Sequence, residues 1–147
     1  MDSKGIATVD FLFTLILTLI IAISTLNLIG TNLNTEKSIE EDINGRIILE
    51  KLANSINQVN SNFPGNIQEI HLSNNISNNS YIITVKSGYI TLEFNNKEGK
   101  SAIFPINLVD FNMEHVTEIK LYSGENYKIK KSLDKNNISV IQIYRVG

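Results

Sequence analysis

Residues 11 to 29, from Phe11 to Ile29, read FLFTLILTLIIAISTLNLI, and their only polar members are Thr14, Thr18, Ser24, Thr25 and Asn27. As a helix, nineteen residues at about 1.5 Å each span about 28 Å, close to the roughly 30 Å hydrocarbon core of a bilayer. The run is long enough to cross a membrane. It exceeds the apolar region of a cleaved secretory signal, and Ala22-Ile23-Ser24, its small-x-small site, lies inside it. Lys4 is the only basic residue before the span, whereas Glu36, Glu40, Glu41 and Asp42 crowd the far side with Lys37 alone opposing them. The asymmetry predicts a single-pass protein with a cytoplasmic N-terminus and an external C-terminal part.

Outward from this stretch the composition reverses. Residues 36–147 hold 25 of the 28 charged side chains, so a membrane segment is joined to a water-facing domain. The 147 residues suffice for one domain of ordinary size, and a net charge of −2 does not describe a nucleic-acid coat. With no cysteine and two histidines, the chain has no disulfide framework, no thiol nucleophile and no cysteine-ligated metal site. Nucleophile-elbow, Walker and dinucleotide signatures are missing, so neither an enzyme nor a cofactor is expected.

Asp10 needs a reason, because a carboxylate in a spanning helix costs roughly 2.5–3.5 kcal/mol. Asp10, Thr14, Thr18, Ala22 and Thr25 follow at spacings of four, four, four and three, which puts them on one helical face. Such a small, weakly polar stripe suits close helix packing in lipid. From spacing alone, Asp10 is either a solvated residue at headgroup level or one with a buried partner.

The neighbouring residues add a further signal. Lys4-Gly5 precedes Ile6, Asp10 is the fifth residue after that glycine, and the apolar run follows at once. This arrangement resembles the prepilin signal of type IV pilins, and the short leader Met1-Asp2-Ser3-Lys4-Gly5 is most similar to the class III signal sequences of archaeal pilin-like proteins. The resemblance covers about thirty residues, where a basic-Gly pair, an acid and a long apolar run must coincide. It implies cleavage between Gly5 and Ile6 by a membrane aspartyl prepilin peptidase, with Asp10 standing where the family usually has glutamate. It also implies assembly of the retained helix into a filament by a pilus platform and its ATPase. Archaellins usually lack the acid, so Asp10 favours a pilin.

From Ser38 to Val59, apolar residues at Ile39, Ile43, Ile47, Leu52, Ile56 and Val59 predict an amphipathic helix with that face buried. Ser38-x-x-Glu41 has the form of a capping box, and Gly30 to Thr35 is a place for a bend. Phe63-Pro64-Gly65-Asn66 is the stop signal. Beyond it the period becomes two. Tyr81 to Lys86 and Tyr89 to Phe94, joined by Ser87-Gly88, predict a hairpin pairing Val85 with Ile90, Ile83 with Leu92 and Tyr81 with Phe94. Ile67 to Leu72, Glu118 to Tyr122, Tyr127 to Lys131 and Ile138 to Tyr144 are further strands, with a Gly124-Glu125-Asn126 loop pairing Leu121 with Ile129. The expected fold is α+β: a leader at 1–5, an apolar helix at 6–35, an amphipathic helix at 36–62, and an antiparallel β head at 63–147 packed on that helix.

Asn and Ile make up 44 residues, and three sequons arise, at Asn75, Asn78 and Asn137, as candidate N-glycosylation sites. Glu40-x-Asp42-x-Asn44-Gly45 imitates the start of a calcium loop, but Lys51 occupies its closing position. His115-x-x-Glu118 is at most half a metal site, and His71 reads as a strand residue. Lys128, Lys130, Lys131 and Lys135 with Tyr122, Tyr127 and Tyr144 read as a solvated sheet face, so nucleic acid is not an expected partner. The expected role is a structural subunit of an adhesive surface filament, inserted in the membrane before assembly. Two alternatives stay open: a minor pilin or pseudopilin of a secretion or DNA-uptake machine, and an uncleaved anchor with a ligand-binding ectodomain.

Overall fold

The computed structural model describes residues 3–147, with side chains described for Val9 and from Phe11 onward. One helix, α1 (Ser3–Ser61), precedes eight strands: β1 (Ile67–His71), β2 (Ile82–Lys86), β3 (Tyr89–Phe94), β4 (Lys97–Ala102), β5 (Leu108–Val109), β6 (Glu118–Tyr122), β7 (Asn126–Leu133) and β8 (Ser139–Val146). The fold is α+β. No proline occurs before Pro64, and the helix ends at Ser61, where the Asn62 amide turns back to the Val59 carbonyl at 3.2 Å. Helical backbone runs through Gly30, and Ser38 lies well inside α1, so it is not a helix cap.

The chain forms two compact units, Met1–Glu40 and Glu41–Gly147. In the first, the described side chains from Phe11 to Ile29 are all exposed. An 18-residue window of this helix reaches a mean hydropathy of 2.4 with none of it buried, so it is long and apolar enough to cross a membrane. The second unit begins five residues later than the expected start of the amphipathic helix, at Glu41, which is the first buried one among the described side chains of α1.

Two four-stranded sheets, rather than one, build the second unit, in the orders β1-β7-β8-β5 and β4-β3-β2-β6. All pairings are antiparallel except β5 with β8. The expected hairpin is present, with Ile83 opposite Leu92 and Val85 opposite Ile90. Strand β2 starts at Ile82, so Tyr81 and Phe94 are not a ladder pair, although both join the core. Strand β4, whose polar sequence Lys-Glu-Gly-Lys-Ser-Ala carries no apolar alternation, returns from β3 through Asn95 and Asn96 at φ 45° and 58°, the left-handed pair of a tight hairpin turn.

Two further expectations are corrected. Leu121 does not pair with Ile129: β6 lies beside β2, with Leu121 opposite Ile83, while β7 lies between β1 and β8, with Ile129 opposite Gln68 and Ile143. The Ser123-Gly124 connection crosses between sheets and is held by the carbonyls of Tyr81, Leu72 and Ser73 at 3.0–3.2 Å. Alternation in β6 fits either neighbour, and the β2 ladder of five residue pairs wins.

The second correction concerns α1. Among the described residues its buried ones are Glu41, Gly45, Leu49, Leu52, Ala53, Ser55, Ile56 and Val59, whereas Ile39, Ile43 and Ile47 are exposed. The path through 41, 45, 49, 52, 56 and 59 keeps to steps of three and four, and the expected path needed a step of five between Ile47 and Leu52. Close approach sets the choice: a Cβ on Gly99 of β4 would lie 2.9 Å from Leu49 Cδ1, and one on Gly45 would lie 3.3 Å from Phe94. Leu52, Ile56 and Val59 join Ile83, Leu92, Leu121, Ile129 and Ile141 in one core cluster.

A fragment of residues 36–147 is expected to fold as a soluble α+β unit. In it Leu52→Ala should cost about 2–5 kcal/mol, because Leu52 is fully buried. Ile43→Ser, on the exposed side, should change stability by less than about 0.5 kcal/mol. Denaturant unfolding followed by circular dichroism measures both, and equal losses would contradict this assignment of faces.

Candidate functional site

The first candidate surface is the apolar half of α1. Lys4, Gly5, Ile6 and the side chain of Asp10 lie outside the described side chains, so the cleavage and carboxylate assignments rest on sequence. Thr14, Thr18, Ala22 and Thr25 are all exposed. With Phe11, Leu15 and Leu19, the first three of them line an open hollow of about 410 Å³. Two of their hydroxyls are bonded within the helix: Thr18 Oγ1 donates to the Thr14 carbonyl at 2.7 Å, and Thr25 Oγ1 to that of Ile21 at 2.8 Å. Ser24 does the same to Ile20 at 2.8 Å. Hydroxyls bonded in this way tolerate lipid, and what such residues offer to helix contact is small size.

In the second unit, two open grooves flank α1. One, of about 540 Å³, lies between Gly45 and Leu49 of the helix and Phe94, Gly99 and Lys100 of the β3–β4 hairpin. The other, of about 570 Å³, is walled by Ile47, Ile48 and Lys51 of the helix and by Ile70, His71 and Leu72 at the end of β1. Among the described residues, no group of three His, Asp or Glu side chains is placed to hold a metal ion. His71 Nδ1 lies 2.8 Å from Asn126 Oδ1, a β1–β7 cross-strand pair. Glu118 lies 3.5 Å from Lys86. The first groove is lined by charged side chains, among them Asp42, Arg46, Glu50 and Glu98, around Leu49 and Phe94, whereas the second presents aliphatic walls with the amides of Asn74 and Asn75.

A partly buried ion-pair cluster ties α1 to β4, and the sequence reading missed it. Lys97 Nζ lies 3.1 Å from Glu41 Oε2 and 2.9 Å from Asp42 Oδ1, and the Glu41 side chain is 5% exposed. The hydrogen bond to Asp42, with Glu41 behind it, outweighs partial burial and holds the Lys97 ammonium above the ordinary lysine value. The available signal was the spacing of Glu41, Gly45 and Leu49, which puts a carboxylate on the core-facing path.

The sheet-face lysines are tied down in part: Lys128 pairs with Glu69 at 2.9 Å, and Lys131 donates to the Asn60 carbonyl at the end of α1. Tyr127 is buried, and its hydroxyl accepts the Tyr122 amide at 2.8 Å. Asn75, Asn78 and Asn137 are all exposed. Asn78 occupies the tip of a turn, following Ser77, with φ of 68° and 47°, and its sequon serine, Ser80, is exposed as well. The hydroxyl of Ser139, which completes the Asn137 sequon, is buried without a hydrogen-bond partner among the described residues. Asp134 organises that loop by accepting the amides of Asn136 and Ile138, each at 2.8 Å, with His115 Nε2 3.7 Å away. The Ile138 amide first, then that of Asn136 and the neighbouring imidazole, hold the Asp134 carboxyl below the usual value despite partial burial.

Compared with models of protein families, with curated proteins and with solved structures, the chain matches none.

Lys97→Met in the 36–147 fragment should lower the melting temperature more than Lys128→Met. Both remove a close ion pair, but Glu41 is left buried whereas Glu69, 70% exposed, is left in water. Equal shifts would mean that Glu41 has other means of solvation. Asp134, with its folded value depressed, adds stability that is present above its ordinary value and lost as pH falls through the folded one. Melting curves below about pH 4 should therefore fall less steeply for Asp134→Asn than for the parent.

Proposed function

We propose that this chain is the membrane-inserted precursor of a type IV pilin-like filament subunit, cut after Gly5, whose apolar helix packs in the filament and whose α+β head faces outward. The observation that carries the reading is the coincidence of Lys4-Gly5, Asp10 five residues later and an uninterrupted apolar run. It is supported by a helix, α1, that continues from that run into a packed head, and by a membrane-length segment with no side chain buried within its own chain. In lipid or in a fibre, such a segment is covered by something else.

In this reading Lys4 and Gly5 present the scissile bond to the peptidase, and glycine's missing side chain admits the cleft. Cleavage leaves the α-amino group of Ile6, which is largely cationic at neutral pH. The Asp10 carboxylate of an adjacent subunit is the partner it meets, and pairing the two charges fixes the axial register. Thr14, Thr18, Ala22 and Thr25 let neighbouring helices approach. The head carries the surface that the filament displays.

Intact-mass measurement of membrane-extracted protein should show a chain that begins at Ile6, and Gly5→Val should retain Met1. Full retention of Met1 in the parent, in the presence of an active prepilin peptidase, would remove the assignment. Asp10→Asn should insert and be cleaved normally yet yield few sheared filaments, because one charge then stays buried alone at a cost of roughly 3–5 kcal/mol. Asp10→Glu should assemble. Wild-type yield and shear resistance for Asp10→Asn would place the carboxylate at the headgroups and defeat the pairing.

A further inference from the structure

Ile43 and Ile47 stand one helical turn apart on α1 and are 53% and 56% exposed, on the side turned away from Leu49, Leu52 and Ile56. They lie fourteen and eighteen residues past Ile29, with Glu36, Lys37, Glu40 and Glu41 in between, so a bilayer that holds the apolar run does not cover them. Beside them is the groove of about 570 Å³ whose walls include Ile47, Ile48, Lys51, Ile70 and Leu72. The exposed knob, Ile43, stands three residues, about one helical turn, after Glu40, and Lys51 is one of the residues that line the groove. Among the described residues, neither Glu40 nor Lys51 has an ion-pair partner within the chain.

An exposed apolar knob one turn from an acid and a partly aliphatic groove that includes a base are complementary in shape class and in charge, and Ile43 and the groove both belong to the unit Glu41–Gly147. We infer that Ile43 of one copy seats in the Ile47–Leu72 groove of a second copy, with Glu40 of the first facing Lys51 of the second. Knob and groove are different patches, so the contact is heterologous and repeats from copy to copy instead of closing in a symmetric pair. The inference rests on the filament-subunit reading for its direction alone: copies anchored through the same N-terminal segment run parallel. It names the head surface that such a polymer uses, and it places part of the cohesion outside the apolar helices, where salt weakens the Glu40–Lys51 attraction.

The absence of native cysteine makes the contact directly testable in the full-length protein. Ile43→Cys and Asn74→Cys variants, the second on the exposed groove wall, are co-expressed with different tags, and membranes and sheared filaments are oxidised with copper phenanthroline. A disulfide-linked dimer carrying both tags is expected from the mixture, and no dimer from either variant alone. A dimer from Ile43→Cys alone would show a symmetric knob-to-knob contact and overturn the inference. Filaments that shed normally but give no mixed dimer would overturn it while leaving the filament reading intact. A mixed dimer in membranes of cells that yield no filaments would uphold the contact and sink the filament reading.

Discussion

Leu49, Leu52, Ala53, Ile56 and Val59 are the surface on which both sheets depend, because the strands' inward side chains and this face of α1 form one continuous core. Each fully buried aliphatic side chain contributes about 1.5–3 kcal/mol relative to exposure. The helix can approach only where Gly99 and Gly45 leave room for Leu49 and Phe94. Once that contact is made, the rotation of α1 is set, and with it the identity of every residue on the opposite side.

That rotation has a polar consequence as well as an apolar one. It carries Glu41 inward, where a lone carboxylate would be expensive, and the β3–β4 turn supplies Lys97 to meet it. Strand β4 is an edge of its sheet, and Lys97, Glu98 and Lys100 along it discourage pairing with a stray strand. A strand that reads as a polar loop thus has two jobs: it closes one edge and anchors the head end of the helix.

The apolar half of α1 and the exposed Ile43 and Ile47 pose different solvation problems. The membrane-length segment is long and apolar enough to be covered by lipid, and the Thr18, Ser24 and Thr25 hydroxyls, bonded to carbonyls of the preceding turn, are compatible with such a surrounding. The isoleucines lie among charged residues and have neither lipid nor their own core to cover them. An exposed aliphatic pair next to an open groove is a surface suited to protein contact, and it exists only because the core took the other face of the helix.

From the sequence by itself, the elements governed by local physics were determined. These are the membrane-length apolar run, the helix that ends before Pro64, and the β2–β3 hairpin, whose turn length and alternation agree on one register. The Lys4-Gly5 and Asp10 pattern is also wholly a matter of sequence. Only the tertiary structure decided which residues share a sheet and which face of α1 is buried. Leu121 alternates equally well beside Ile129 or Ile83, and long-range pairing with β2 settled it. Ile39, Ile43 and Ile47 look like core by hydrophobicity, yet Glu41, Gly45 and Leu49 occupy that place, because the helix packs where backbones can approach and not where each turn is most apolar.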